Sequence, residues 1–256
     1  MIIAGLQKLT LLDYPGKTAA TIFTQGCNFR CPFCHNADLL KSARTTSSAP
    51  QSEYDHVLPT IAEDDLMSFL EKRKGILDGV CITGGEPTLQ SDLPSLCQRI
   101  KQEGFLLKLD TNGSNPDVIA DLLDKDLLDH VALDIKNSPE LYAKTAGVRT
   151  GLTKTIETTV RMLIASPIPF ELRTTIAQEL HSEEALIEIA SWIARIVCSS
   201  PAENTENSVS WYIQNFQDSD NVLAGEGAFT PWNEDALQKI LPLLKAKVPQ
   251  TYLRGI

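Results

Sequence analysis

Short apolar runs alternate with longer amphipathic ones along most of this chain, and that alternation is the strongest constraint on its fold. Strands are expected at Thr18–Gln25, Val80–Thr83, Phe105–Asp110, His130–Lys136, Phe170–Ala177 and Val209–Phe216. Each is rich in β-branched or apolar residues and bounded by polar ones. Helices are expected at Asp64–Lys74, Pro94–Glu103, Pro116–Lys125, Lys154–Ala165, Glu183–Val197 and Asn233–Lys247. Asn115 before Pro116, and Ser182 before two glutamates, are helix starts that satisfy free backbone N–H groups. Repeated strand–helix–strand units lead to right-handed crossovers and a parallel sheet. The expected architecture is α/β, built on a parallel sheet.

Two stretches interrupt the rhythm, near 42–60 and 199–208, and both read as exposed loops rich in Ser, Thr, Ala and Pro. The alternation resumes after each, and no repeat of 20–50 residues is visible. A single domain over 1–256 is therefore expected, with a C-terminal helical tail at 233–256. The strand ends carry more information than the strands. Thr83-Gly84-Gly85-Glu86-Pro87, Asp110-Thr111-Asn112-Gly113 and Asp134-Ile135-Lys136 follow three consecutive strands. In a parallel barrel the active site gathers at the C-terminal ends of the strands, so these clusters are expected to share one polar site.

After the first strand comes Gly26-Cys27-Asn28-Phe29-Arg30-Cys31-Pro32-Phe33-Cys34-His35-Asn36, a C-x3-C-x2-C spacing. Short loops let several thiolates converge on one iron–sulfur cubane. Three cysteines serve three irons and leave the fourth open for a ligand, as reactive metal centres require. Zinc held by the three cysteines and His35 is the plainer alternative, but neighbouring Cys34 and His35 reach one tetrahedral ion poorly. There is also no second C-x2-C pair. Cys81, Cys97 and Cys198 lie in apolar segments without paired partners and read as core cysteines. A single cluster is expected.

The cysteine spacing with its aromatic residue resembles the radical S-adenosylmethionine (SAM) superfamily, and Gly84-Gly85-Glu86-Pro87 resembles that superfamily's G-G-E-P segment. The resemblance implies a partial parallel (β/α)6 barrel, open on one side, and a [4Fe–4S] cluster on Cys27, Cys31 and Cys34 whose open iron chelates the methionine part of SAM. One electron then breaks the sulfur–C5′ bond and yields a 5′-deoxyadenosyl radical. It further implies that Phe33 packs near the adenine, with the backbone around His35 and Asn36 at its edge. Gly84, Gly85 and Glu86 would meet the methionine ammonium. Asp110-Thr111-Asn112-Gly113 and Asp134-Ile135-Lys136 look like the D-T-N-G and L-D-[IL]-K segments of glycyl-radical-enzyme activases. In such relatives Asp110, Thr111 and Asp134 would lie near a monovalent cation, and Asp134 and Lys136 near the ribose and carboxylate. Arg173, a charge in an apolar strand, is either a further cofactor contact or a structural salt bridge. Gln214 would complete the adenosine site.

Leu6 to Lys17, with Phe23-Thr24-Gln25-Gly26-Cys27 and Cys34-His35-Asn36, is similar to the activating proteins of anaerobic ribonucleotide reductase. That similarity implies a glycyl radical enzyme as protein substrate and reduced flavodoxin or ferredoxin as electron donor. No side chain is expected to act as a general acid or base. Two alternatives stay open: a radical SAM enzyme acting on a small molecule or peptide, and a non-enzymatic iron–sulfur or zinc protein. A net charge of −10 in 256 residues argues against a general nucleic-acid surface. No apolar run is long enough to span a bilayer, and no signal sequence is recognisable, so a cytoplasmic protein is expected.

Overall fold

The structure is a computed structural model that describes residues 1–40, 59–149, 151–200 and 209–255. The loops expected near 42–60 and 199–208 lie almost wholly outside the described residues. The chain forms two compact units, Met1–Asn28 with Asn36–Leu109, and Phe29–His35 with Asp110–Ile256.

In the first unit, β1 (Ile3–Thr10) runs antiparallel to β2 (Ala19–Thr24), pairing Ile3 with Thr24 and Thr10 with Ala19. β2 is parallel to β3 (Gly79–Gly84), in register from Ala19↔Gly79 to Thr24↔Gly84. β3 pairs in parallel with β4 (Leu106–Thr111) from Gly79↔Leu106 to Ile82↔Leu109. Helices α1 (Glu63–Glu71) and α2 (Leu93–Gln102) supply Leu66, Leu70, Leu96 and Ile100, all fully buried with Ile22, Val80, Ile82 and Leu107. The i, i+3/i+4 spacing of those helix residues is the stripe that burial against a sheet demands.

The second unit takes α3 (Pro116–Asp124), β5 (His130–Asp134), α4 (Tyr142–Ala146), α5 (Thr153–Ala165) and β6 (Phe170–Ile176), then α6 (Glu183–Cys198), β7 (Ser210–Asn215), α7 (Glu234–Lys245) and β8 (Thr251–Arg254). β5, β6, β7 and β8 pair successively, all in parallel. Ser182 caps α6 by accepting from the Ala185 N–H, as its position before two glutamates foretold. Trp192 and Trp211 fill the interior, with indole N–H groups bonded to Glu157 Oε1 and Thr174 Oγ1. Buried aromatic N–H groups need such acceptors.

Six strands fall where the alternation places them, to within about two residues. β1, α4 and β8 do not come from that pattern. β8 follows α7 and makes the C-terminal segment a helix plus a parallel strand rather than a wholly helical tail. Cys198 corrects another expectation: it ends α6 and is exposed, whereas Cys81 and Cys97 are buried.

Candidate metal and cofactor site

In the first unit the chain leaves β2 through Gly26 at φ +88, and its carbonyl accepts from the Glu86 N–H at 2.8 Å. The Gly85 N–H bonds to the Thr24 carbonyl, also at 2.8 Å. Backbone therefore packs on backbone, and side chains have no room. A Cβ on Gly84, whose φ is +116, would lie 2.2 Å from the Thr24 nitrogen, and one on Gly85 would lie 2.0 Å from the Gly26 oxygen. The Asn36 amide adds a bond to the Gly84 carbonyl at 3.3 Å. Glu86 is buried, and its Oε1 accepts from the Thr88 N–H and hydroxyl at 3.1 and 2.5 Å, capping the short 3-10 turn Pro87–Leu89. The Gly-Gly-Glu-Pro segment thus shapes the turn that carries Cys27.

In the second unit the rest of the cysteine loop is fixed as closely. The Arg30 N–H bonds to the Ala146 carbonyl, and Gly147 at φ +65 passes so near that a Cβ there would sit 2.2 Å from the Arg30 oxygen. Cys34 N–H donates to the Cys31 carbonyl at 3.0 Å, a turn that sets the two thiols on one short bend. Phe33 is buried, with Lys136 Nζ 6.0 Å from its ring centroid and His181 edge-on at 6.4 Å.

Toward the ends of β4 and β5 and midway along β6, four charges form a chain. Arg173 donates from Nη1 to Asp110 Oδ2 at 2.8 Å and from Nε to Asp134 Oδ1 at 3.0 Å. Lys136 Nζ donates to the other Asp134 oxygen at 2.8 Å. Asp110 and Asp134, expected to sit by a small cation, share the Arg173 guanidinium. Burial alone would push the Asp134 carboxyl up, but Lys136 and Arg173 outweigh it and hold it at about 2. Burial likewise opposes the charge on Lys136, yet Asp134 and the neighbouring Cys31 keep its ammonium well above the ordinary lysine range. A cation beside Cys31 favours a thiolate there, which is the form that binds iron.

Thr111 and Asn112 are taken up locally: Thr111 Oγ1 accepts from Gly113 N–H and Asn112 Oδ1 from Ser114 N–H. Gly113 has φ +73, and a Cβ there would strike Leu133. Gln214 on β7 lines a polar cleft of about 450 Å³ with His35, Thr175, Asp218 and Arg254. Two residues absent from the sequence reading support the β5 end. Tyr142 donates its hydroxyl to the Asp134 carbonyl at 3.2 Å. His181, fully buried, bridges the Ala177 N–H and the Lys136 carbonyl at 3.3 and 2.9 Å. A histidine directly before a capping serine was the available signal.

The donors fit an iron–sulfur cluster with SAM. Cys27, Cys31 and Cys34 are in no disulfide; in the second unit a cation stands by Cys31, and in the first unit bare glycine backbone lies beside Cys27. Among the described residues no three His, Cys, Asp or Glu side chains gather as for a single ion; a cubane holds its thiolates on separate irons and asks for a wider set. The sequence profile of the radical SAM superfamily matches residues 21–193. The chain belongs to the radical SAM superfamily. It is a radical SAM enzyme, and the cofactors of that superfamily are a [4Fe–4S] cluster and SAM.

A Methanocaldococcus jannaschii protein described as a glycyl-radical enzyme activating enzyme is 30% identical over 196 residues, 75% of each chain. The pyruvate formate-lyase-activating enzyme of Listeria monocytogenes is 31% identical over 150 residues, 56% of each chain. Streptococcus suis SuiB, solved with its precursor peptide SuiA, superposes with a TM-score of 0.64 at 14% identity. That match covers 92% of this chain and 48% of SuiB, so the chain spans about half of SuiB's length. The likeness shows a shared α/β fold. No helix among the described residues is long and apolar enough to cross a membrane.

Proposed function

We propose that this radical SAM enzyme is an activase that removes a hydrogen atom from the α-carbon of a backbone glycine in a partner glycyl radical enzyme, of the anaerobic ribonucleotide reductase type. The observation that carries the reading is the similarity, over three quarters of both chains, to a protein described as such an activating enzyme. The four-charge chain of Asp110, Arg173, Asp134 and Lys136 supports it from the geometry.

In this reading Cys27, Cys31 and Cys34 ligate the cluster, which when bound and reduced supplies the electron for cleaving SAM. Gly84 and Gly85 let backbone approach the methionine moiety, and Glu86 holds that turn closed. Lys136 offers its ammonium to the SAM carboxylate, a charge-assisted contact. Asp110, Thr111, Asp134 and Arg173 fix the polar wall around it. Phe33 and Gln214 border the adenosine. Reduced flavodoxin or ferredoxin supplies the electron, and the protein is cytoplasmic.

The test is anaerobic reconstitution, reduction, and mixing with SAM and candidate glycyl radical enzymes. A glycine-centred doublet in electron paramagnetic resonance, with one 5′-deoxyadenosine per radical, is the expected result. Formation of 5′-deoxyadenosine with no protein radical on any partner would replace this reading with a small-molecule or peptide substrate. Cys31→Ala is expected to abolish the cluster spectrum. Cys97→Ala is expected to keep it, because that thiol is buried in α2 and pushed up to about 12 by desolvation.

A further inference from the structure

We infer that the segment from Gln217 to Ala224 is a strap that orients the peptide groups of the cysteine loop and so sets the reduction potential and retention of the cluster. The inference rests on Cys31 and Cys34 being cluster ligands.

Three carbonyls of the loop turn onto this one segment. Pro32 accepts from the Ala224 N–H at 2.9 Å, Cys34 from the Leu223 N–H at 3.0 Å, and His35 from the Asn221 side-chain amide at 2.9 Å. The His35 ring makes a fourth tie, to the Gln217 carbonyl, and stacks on Phe216 with centroids 5.1 Å apart. Four bonds tie these two short segments together. The strap is itself braced, since Asp218 accepts from the Ser219 and Gly227 N–H groups.

The direction of these bonds matters more than their number. No peptide bond is cis among the described residues. In a planar trans peptide the N–H points opposite to the C=O. With the Pro32 and Cys34 carbonyls held on the strap, the N–H groups of Phe33 and His35 face away from it. Neither finds an acceptor among the described residues. Phe33 lies between the two cysteines and His35 directly follows the second. Phe33 is buried and His35 partly exposed, and donors left open in the cysteine loop can take an acceptor that arrives with the cofactor. Cluster and cysteine sulfurs are such acceptors. N–H donors at the sulfurs stabilise the more negative, reduced state and raise its potential, whereas carbonyls turned inward would lower it.

The experiment compares anaerobically reconstituted wild type with Asn221→Ala, which loses the bond to His35, and Ala224→Pro, which removes the N–H bonded to Pro32. Iron content, the midpoint potential in a redox titration followed by electron paramagnetic resonance, and the rate of iron release to a chelator are read on each. Both variants are expected to load a full cluster, to titrate at lower potential, and to release iron several-fold faster. A wild-type potential and release rate in Asn221→Ala would overturn the strap, and that variant decides alone should Ala224→Pro fail to fold. Cys31→Ala runs in parallel: a full cluster there would overturn the ligand reading beneath, independently of the strap.

Discussion

Two ion-pair systems share β6, with Glu171 in one and Arg173 in the other, two residues apart and so on the same face of the strand. Glu171 is buried and takes both its bonds from Arg254, at 3.3 and 2.9 Å. The Arg254 guanidinium also lies 3.5 Å from the centre of the Tyr212 ring. That is a closed pair: one acid, one base, matched in a fork and covered by an aromatic face. Arg173 instead divides its fork between two carboxylates from two other strands, and one of these continues to Lys136. The Asp134 side chain keeps 28% of its surface exposed and Lys136 16%. An open chain of alternating charges can exchange one partner for a ligand carboxylate or ammonium, and a closed fork cannot without breaking. Residue type does not separate the two systems; they differ in the number of partners and in the free end.

The largest expected effect is from Arg173→Met. It strips both aspartates of their shared cation, at a cost of about 3 kcal/mol of stability in denaturant unfolding. Affinity for SAM, read by equilibrium dialysis on the clustered protein, is expected to fall about 100-fold. Wild-type SAM affinity in a folded, clustered Arg173→Met would place the open chain outside the cofactor site.

Next comes pH. The Asp134 carboxyl is held below its ordinary 3.8, at about 2. A depressed carboxylate contributes stability that is fully present above the unfolded value and is lost as pH falls through the folded one. That difference corresponds to about 2 kcal/mol. Asp134→Asn should therefore be less stable than wild type by about 2 kcal/mol at pH 6, with the gap closing between about pH 4 and pH 2. A gap independent of pH would mean that packing, and not the charge chain, is what the substitution disturbs.

Glu171→Gln tests the closed pair. Arg254 is one-third exposed and can be rehydrated, so the expected loss is about 1–2 kcal/mol. SAM affinity should fall far less than in Arg173→Met, since Glu171 bonds to no member of the open chain and reaches Arg173 only through space. Equal losses of SAM affinity in Glu171→Gln and Arg173→Met would erase the distinction between the two systems.

Much of this was legible in sequence because it is local. Val80–Thr83 or Phe170–Ala177 can only be short buried strands, and C-x3-C-x2-C states its chemistry in eight residues. Asp110, Asp134, Lys136 and Arg173 could each be singled out at a strand end or as a charge in an apolar run. Their connection could not, because Arg173 reaches partners 63 and 39 residues away. β1 hid because Gln7, Lys8 and Leu9 are all exposed, which removes the period-two signal of a half-buried strand. β8 has only four residues, with Tyr252 exposed. Cys198 sits in an apolar run, yet as the last residue of α6 it falls off the buried face. Glu86 shows the limit of motif reading: the motif marks the residue, but only coordinates show its carboxylate capping the turn with Thr88.

The smallest expected effect sharpens the boundary of the closed pair. Tyr252 stacks on Tyr212 with centroids 5.1 Å apart and is 43% exposed, so it covers the aromatic ring on which Arg254 rests without touching Glu171's bonds. Tyr252→Ala should cost about 0.5 kcal/mol, the low end for an exposed aromatic pair. Thermal unfolding of the protein without its cluster resolves such a change only as a shift of a few degrees or less. The informative reading is SAM affinity in the same variant, expected to equal wild type. If it falls while stability barely moves, Arg254 joins Gln214, with which it lines one cleft, on the adenosine side of the cofactor site, and the pair on β6 is closed only until SAM binds.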